Sequence, residues 1–97
     1  MNRKTLAKIE RELREILMSP HNRTHSVLAG YAKKLGRTRE NRGKEPTFER
    51  AGDPVLFPCL TIPGHSGDLA PGTVRSVVNQ LLNDVDAWKF YLMENEQ

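Results

Sequence analysis

The loop at residues 63–67, with the sequence PGHSG, places a histidine among turn-forming residues. Imidazole is suited to proton transfer because its pKa lies near neutral pH, so His65 is a candidate general acid or base. The structural alternative is a solvated side chain or a donor that stabilises the turn, which is the commoner role of a lone histidine in such a loop. His21 and His25 flank a helix start, and we expect both to be surface residues.

Basic side chains at two places could contact phosphate groups, which arginine and lysine bind well. Arg39, Arg42 and Lys44 surround a tight turn at Gly43, and Arg75 lies in the first turn of the final predicted helix. We predict that these five residues form a polyanion-binding surface. Contacts of this kind, from a helix and an inter-strand loop, are typical of proteins that recognise double-stranded RNA by its shape.

The distribution of charge favours two separate surfaces. The chain has a net charge of +3, but residues 33–50 contain seven lysines and arginines against three glutamates. Residues 82–97 contain one lysine against four acidic residues. A positive middle and a negative tail suit a polyanion on one surface and a different partner on another. A solvated hairpin and tail would give the same composition, so both interpretations stay open.

Composition narrows the functional classes. The single cysteine, Cys59, excludes an internal disulfide and offers no cluster for zinc, and we expect a buried, inert thiol. There is no metal-ligand spacing, so we expect neither a metal ion nor a cofactor. No apolar run could span a membrane and the charged start MNRKTLAKIERE is unlike a signal peptide, so we expect a cytoplasmic protein. The length of 97 residues predicts one domain, 1–97, with a thin core.

The first element is an amphipathic helix over residues 3–18, within an N-terminal segment 1–19 that ends before Pro20. Its apolar stripe must be buried, either on the domain or against a second chain, which would make a dimer through this helix. The stripe contains Leu6, Ile9, Leu13, Ile16 and Leu17.

A second helix is predicted over residues 26–35, with Thr24 as its N-cap and Gly36 in a left-handed C-cap. Three strands should follow. Residues 37–42 are so polar that only an edge position, or a sheet face that binds something, would explain a strand there.

Residues 47–50 form the second strand, and the turn at 51–54 leads to a third strand over residues 55–62. Pro58 places this third strand at an edge or a bulge. Phe48 and Phe57 are predicted to be core residues.

The final helix should begin near Gly72, with Asp68 as a cap or close to the start. Asn83-Asp84 offers a break, so one long helix and two short ones are equally compatible with the sequence. Residues 83–97 form a C-terminal helical extension, whose Trp88 we expect to pack against the N-terminal helix.

The stretch LTIPGHSGDLAPGTVRSVVNQL, which starts at Leu60, resembles the C-terminal half of the HicA family, the toxins of bacterial HicA–HicB toxin–antitoxin pairs. The resemblance extends more weakly back to residue 26 and so covers residues 26–82. It implies a fold similar to double-stranded-RNA-binding domains, metal-independent cleavage of messenger RNA, and a HicB-like antitoxin partner. The matching residues are Pro63, His65, Asp68, Leu69, Gly72, Thr73, Arg75, Ser76 and Val77.

The family's proposed catalytic histidine follows a Gly-Ser pair at the start of the second strand. In the corresponding stretch of this sequence, residues 43–48, Glu45 or Pro46 stands at that position. Glu45 could be the general base, with Lys44 on the phosphate, although such a pair on a hairpin is usually a surface ion pair. His65 could instead supply the acid or base. The third option is a site without catalytic activity.

The sequence therefore predicts an α+β fold: an additional N-terminal helix, then a helix, a three-stranded antiparallel sheet and an extended helix. The first functional hypothesis is a HicA-like toxin that binds and cleaves messenger RNA, with His65 and Glu45 as catalytic residues. The alternative is an inactive HicA-like module that binds RNA or a protein. Salt-sensitive RNA binding without strand scission would favour the alternative.

Overall fold

The computed structural model describes residues 1–40, 45–64 and 66–95. The predicted α+β arrangement is confirmed, with a helix before the helix–sheet–helix unit and a long helix at the end. The elements are α1 (Arg3–Met18), α2 (His25–Lys34), β1 (Thr38–Glu40), β2 (Thr47–Arg50), β3 (Leu56–Thr61) and α3 (Pro71–Glu94).

The three strands form an antiparallel sheet in the order β1-β2-β3. Phe48 of β2 stands opposite Arg39 of β1 and opposite Leu60 of β3. The register between β2 and β3 shifts between Phe48 and Arg50. The polar β1 and the proline-containing β3 are both edge strands, which is one of the two alternatives that the sequence left open for each of them.

One face of the sheet packs against the helices. Phe48 and Leu60 are buried on this face together with the apolar residues of α2 and α3. On β3, Leu56 and Leu60 are buried, whereas Phe57 is 82% exposed and Cys59 is exposed. The predictions of a core Phe57 and a buried thiol are therefore wrong, since both residues lie between inward positions of an edge strand. Cys59 Sγ donates a hydrogen bond to Glu49 Oε2 at 3.1 Å.

The apolar stripe of α1 is buried inside the chain. Its four central residues are between 0% and 3% exposed, and α1 packs along α3. The stripe that prompted the prediction of a dimer is therefore occupied by the chain itself. These residues are Leu6, Ile9, Leu13 and Ile16.

Helix α3 continues through Asn83-Asp84 without a break. Asp84 is only 2% exposed and pairs with Arg37, which is also 2% exposed. Arg37 Nε donates to Asp84 Oδ2 at 2.7 Å, and Arg37 Nη2 donates to Oδ1 at 2.9 Å. The third donor, Nη1, reaches the carbonyl of Phe48 at 2.8 Å. Because Asp84 has this partner inside the fold, it does not serve as a helix cap.

Local signals account for the ends of α2 and for the start of α3, which begins at Pro71 beside the predicted Gly72, but not for the N-cap residue of α3. Thr24 Oγ1 accepts a hydrogen bond from the Val27 N–H, and Gly36 has a φ of +94° at the C-terminal end, as predicted. In contrast, Ala70 is the N-cap residue of α3 and makes no side-chain cap hydrogen bond. Asp68 instead forms an isolated backbone bridge with Thr24.

Within the described ranges of the chain, no helix is both long enough and apolar enough to cross a bilayer.

Candidate active site

The loop that leads from β3 toward α3 is fastened to the start of β2 and to the start of α2. The backbone N–H of Ile62 donates to the carbonyl of Pro46 at 3.2 Å. Further along, the N–H of Leu69 donates to the carbonyl of Arg23 at 2.8 Å. Both ends of the loop are therefore held by backbone hydrogen bonds to segments that are distant in the sequence.

Glu45, which stands just before β2, reaches across to this loop. Its Oε2 accepts a hydrogen bond from the backbone N–H of Gly64 at 3.1 Å. The packing beside this contact is close, since a Cβ on Gly64 would lie 3.0 Å from the Pro46 ring. A larger residue at Gly64 would have to displace that ring. The carboxylate predicted as a general base thus acts as an acceptor for the loop backbone.

His25, the first residue of α2, contacts the same peptide group. Its Nδ1 lies 3.0 Å from the carbonyl oxygen of Pro63. Because a carbonyl oxygen only accepts hydrogen bonds, Nδ1 carries the hydrogen, and Nε2 of the neutral ring keeps the lone pair. The imidazole is half-buried, with its centroid 6.1 Å from that of the Phe48 ring. The prediction that His25 is simply a surface residue is therefore wrong.

Glu45 and His25 approach the Pro63–Gly64 peptide from opposite sides. In a trans peptide the carbonyl oxygen and the N–H hydrogen point in opposite directions, and each is bound by one of these two side chains. The result is an imidazole and a carboxylate, each hydrogen-bonded to one side of the peptide group that precedes His65 in the chain.

Four predicted site residues, His65, Arg42, Gly43 and Lys44, lie outside the described residues. Their predicted roles stay predictions.

The two described members of the predicted basic surface are both exposed. Arg39 belongs to β1, which is one edge of the sheet, whereas Arg75 belongs to α3, which packs against β3 at the other edge. The two arginines therefore lie on different elements, one in the sheet and one in a helix.

Two arginines within residues 33–50 stabilise the fold. Arg37 is buried with Asp84. The guanidinium of Arg50 lies over the Trp88 ring, 5.0 Å from its centroid, and donates to three backbone carbonyls. Because the charge of Arg37 is paired inside the fold, the number of cations between residues 33 and 50 overstates the positive charge on the surface.

Sequence reasoning missed His25 because its partner is distant in the chain. A helix N-terminus gives no signal that a histidine there will contact a loop beyond the third strand. The remaining clue was Thr24, whose predicted cap placed His25 in the first turn of α2. Among residues 1–40, 45–64 and 66–95, no three His, Cys, Asp or Glu side chains are grouped to hold a metal ion.

Comparisons of the chain with protein-family models, with curated proteins and with solved structures give no match.

Proposed function

We propose that this protein is a HicA-like toxin that binds RNA and cleaves it at the loop between β3 and α3. The observation that carries the proposal is the pair of hydrogen bonds by which His25 and Glu45 hold the Pro63–Gly64 peptide. These contacts bring two groups capable of proton transfer to the loop that contains His65. The family resemblance of residues 60–81 adds the expectation of an RNA substrate and a HicB-like antitoxin.

In this mechanism, Nε2 of His25 accepts the proton of a ribose 2′-OH. The 2′-oxygen then bonds to the adjacent phosphorus while the bond from phosphorus to the 5′-oxygen breaks. The imidazolium of His65 donates its proton to that leaving oxygen. The products are a 2′,3′-cyclic phosphate and a 5′-hydroxyl end. The predicted phosphate contacts, Arg42 and Lys44 among them, would offset the charge on phosphorus oxygens.

Glu45 is a positioning residue in this proposal. Its Oε2 is engaged by the Gly64 N–H, and a glutamine in its place retains an oxygen that accepts the same hydrogen bond. We therefore expect Glu45→Gln to retain most of the activity and Glu45→Ala to lose more. If Glu45→Gln alone abolished cleavage, the carboxylate would be the general base and this assignment of roles would be wrong.

The first experiment measures cleavage of a defined RNA by the purified protein. We expect His65→Ala and His25→Ala each to lower the rate by about 10²- to 10⁴-fold, the usual contribution of a general acid or base. His21→Ala, which changes an exposed histidine outside the loop, is the matched control. RNA with 2′-O-methyl groups should not be cut, because it lacks the nucleophile.

A second experiment tests the toxin assignment. Expression in a bacterial host should arrest growth and degrade messenger RNA, and co-expression of a HicB-like antitoxin from the neighbouring open reading frame should restore growth. Growth that is unaffected by the wild-type protein, with intact RNA, would contradict the proposal.

The alternative function is a non-catalytic RNA- or protein-binding module. The two hydrogen bonds to the Pro63–Gly64 peptide also favour this alternative. Nδ1 of His25 and Oε2 of Glu45 already hold the loop, which gives both side chains a structural role without catalysis. In that case RNA would bind in a salt-sensitive manner, all histidine variants would bind equally well, and no cyclic phosphate would form.

A further inference from the structure

A basic groove runs beside α1, on the part of the chain that the family resemblance does not cover. It has a volume of about 1200 Å³ and is bounded by α1, the C-terminal end of α2, Arg50 and Trp88. Of the residues that the structure describes, five with cationic side chains line this groove, against one with an acidic side chain, Glu12. The five are Lys4, Lys8, Arg11, Lys34 and Arg50.

The three cations that α1 contributes to the groove have no acidic partner among the described residues. Lys4, Lys8 and Arg11 are exposed, and none of them forms an ion pair with a described residue. Glu12, the single acid of the lining, accepts a hydrogen bond from the Tyr31 hydroxyl at 3.1 Å. The groove therefore keeps a net positive charge that the described side chains do not neutralise.

The opposite wall adds two further cations. Lys34 is exposed in the last turn of α2, with its Nζ 5.2 Å from the centroid of the Tyr31 ring. Arg50 lies over Trp88 and uses its donors on backbone carbonyls, which leaves its charge without a carboxylate partner. Both walls of the groove carry positive charge, so an anion in the groove would be stabilised by both of them.

The spacing of the α1 cations suits a regular polyanion. Lys4, Lys8 and Arg11 are separated by four and three residues, which places them on one stripe of the helix. From Lys4 to Arg11 the stripe extends about 10 Å along the helix axis. A stripe of that length can face more than one phosphate of a nucleic-acid backbone.

The lining also favours a nucleic-acid backbone over unstacked bases. Trp88 is the aromatic residue of the groove and is only 7% exposed. Single-stranded nucleic acids are bound mainly by stacking on exposed rings, whereas duplex RNA is bound through phosphates and 2′-hydroxyl groups.

We propose that the groove beside α1 is a second binding surface, which takes the phosphate backbone of duplex RNA. The choice of RNA as the polyanion rests on the proposed function. The inference that the groove binds an anion rests only on the charges of its lining. Its place in the fold is separate from the loop held by His25 and Glu45, so substrate binding by α1 and chemistry at the loop can be tested independently.

The test compares two double variants that remove the same charge. Lys8→Gln/Arg11→Gln removes two cations from the groove, and Arg14→Gln/Lys33→Gln removes two exposed cations that do not line it. The probe is a 20-base-pair RNA with 2′-O-methyl groups, which cannot be cleaved, and binding is followed by fluorescence anisotropy across a salt series. Thermal unfolding of each variant confirms that it is folded.

We expect the groove variant to bind at least about tenfold more weakly than wild type at low salt. The slope of log K against log salt should fall by about two, one for each lost phosphate contact. The control variant should retain most of the wild-type affinity and slope.

Equal binding by the two double variants would overturn the groove proposal and leave the proposed function standing. An unchanged RNA affinity with a loss of affinity for the antitoxin would overturn it as well, because the groove would then be a protein interface. Groove-dependent binding without RNA cleavage or growth arrest would support the groove and contradict the toxin assignment.

Discussion

Arginines and lysines have opposite roles in the interior and on α1. Arg37 is buried and bound by a carboxylate through two hydrogen bonds, whereas Lys8 and Arg11 are exposed and have no ion-pair partner among the described residues. A buried cation needs a counter-charge because a buried charge without a partner lowers the stability of the fold by several kcal/mol. An exposed cation is solvated and remains available to a ligand. The comparison shows that a count of basic residues does not locate a binding surface.

Breaking the buried ion pair between Arg37 and Asp84 should give the largest loss of stability among these predictions. Asp84→Ala leaves the Arg37 guanidinium buried without a counter-charge, so we expect a loss of about 3–5 kcal/mol in the free energy of unfolding. Chemical denaturation measures it. Asp86→Ala, an exposed carboxylate on the same helix, is the control and should change stability by less than about 0.5 kcal/mol. If the two substitutions lowered the free energy of unfolding equally, the buried carboxylate would not be needed as the counter-charge of Arg37.

Trp88→Ala should give the next largest loss of stability. The indole Nε1 donates to the Leu35 carbonyl at 2.7 Å, and the ring lies under the Arg50 guanidinium. Its removal creates a cavity and should cost about 3 kcal/mol. Phe90→Ala removes an aromatic ring that is 61% exposed, and we expect a much smaller loss. A stability unchanged by Trp88→Ala would contradict the structural role assigned to Arg50 and Trp88.

The smallest effect concerns Glu10, an intermediate case in which surface charges are paired. Lys89 Nζ and Arg14 Nη2 lie 2.8 Å and 2.9 Å from its carboxylate oxygens. Their hydrogen bonds lower the pKa of Glu10 below its ordinary value of 4.5. We expect Glu10→Gln to cost about 0.5 kcal/mol at pH 7, as is usual for an exposed pair.

The pH dependence of that difference follows from the direction of the pKa shift. A carboxyl group whose pKa is lower in the folded state stabilises the fold above its unfolded pKa, and the stabilisation is lost as pH falls through the folded pKa. The difference between wild type and Glu10→Gln should therefore shrink as the pH falls below 4.5. A difference that is constant from pH 7 to pH 3 would argue against the pairing.

The elements of the fold were largely predictable because their signals are local. The apolar stripe of α1, the cap at Thr24, the glycine at Gly36 and the polar edge strand before β2 are each set by neighbouring residues. The continuity of α3 was not predictable, since it depends on a carboxylate at Asp84 finding a partner on the far side of the fold. Asp68 lies close to the start of α3, which is one of the two predicted alternatives, but Ala70 is the N-cap and the backbone of Asp68 pairs with Thr24.

The candidate site was less predictable than the fold. Glu45 was identified from the sequence, but its contact with Gly64 was not, and His25 was assigned to the surface. Such contacts depend on how helices and strands pack, which no short pattern contains. Phe57 shows the same limit, because an apolar run cannot tell which side of an edge strand each residue takes.

The edge strand β3 has a consequence for self-association. At Pro58 the backbone has no N–H to donate, and the carbonyl already accepts a hydrogen bond from Gln80 Nε2 at 3.2 Å. At this residue the strand therefore has no backbone donor, and its carbonyl already has one partner. Open strand edges are templates for intermolecular sheet extension, and a proline within the strand makes the addition of a further strand less favourable.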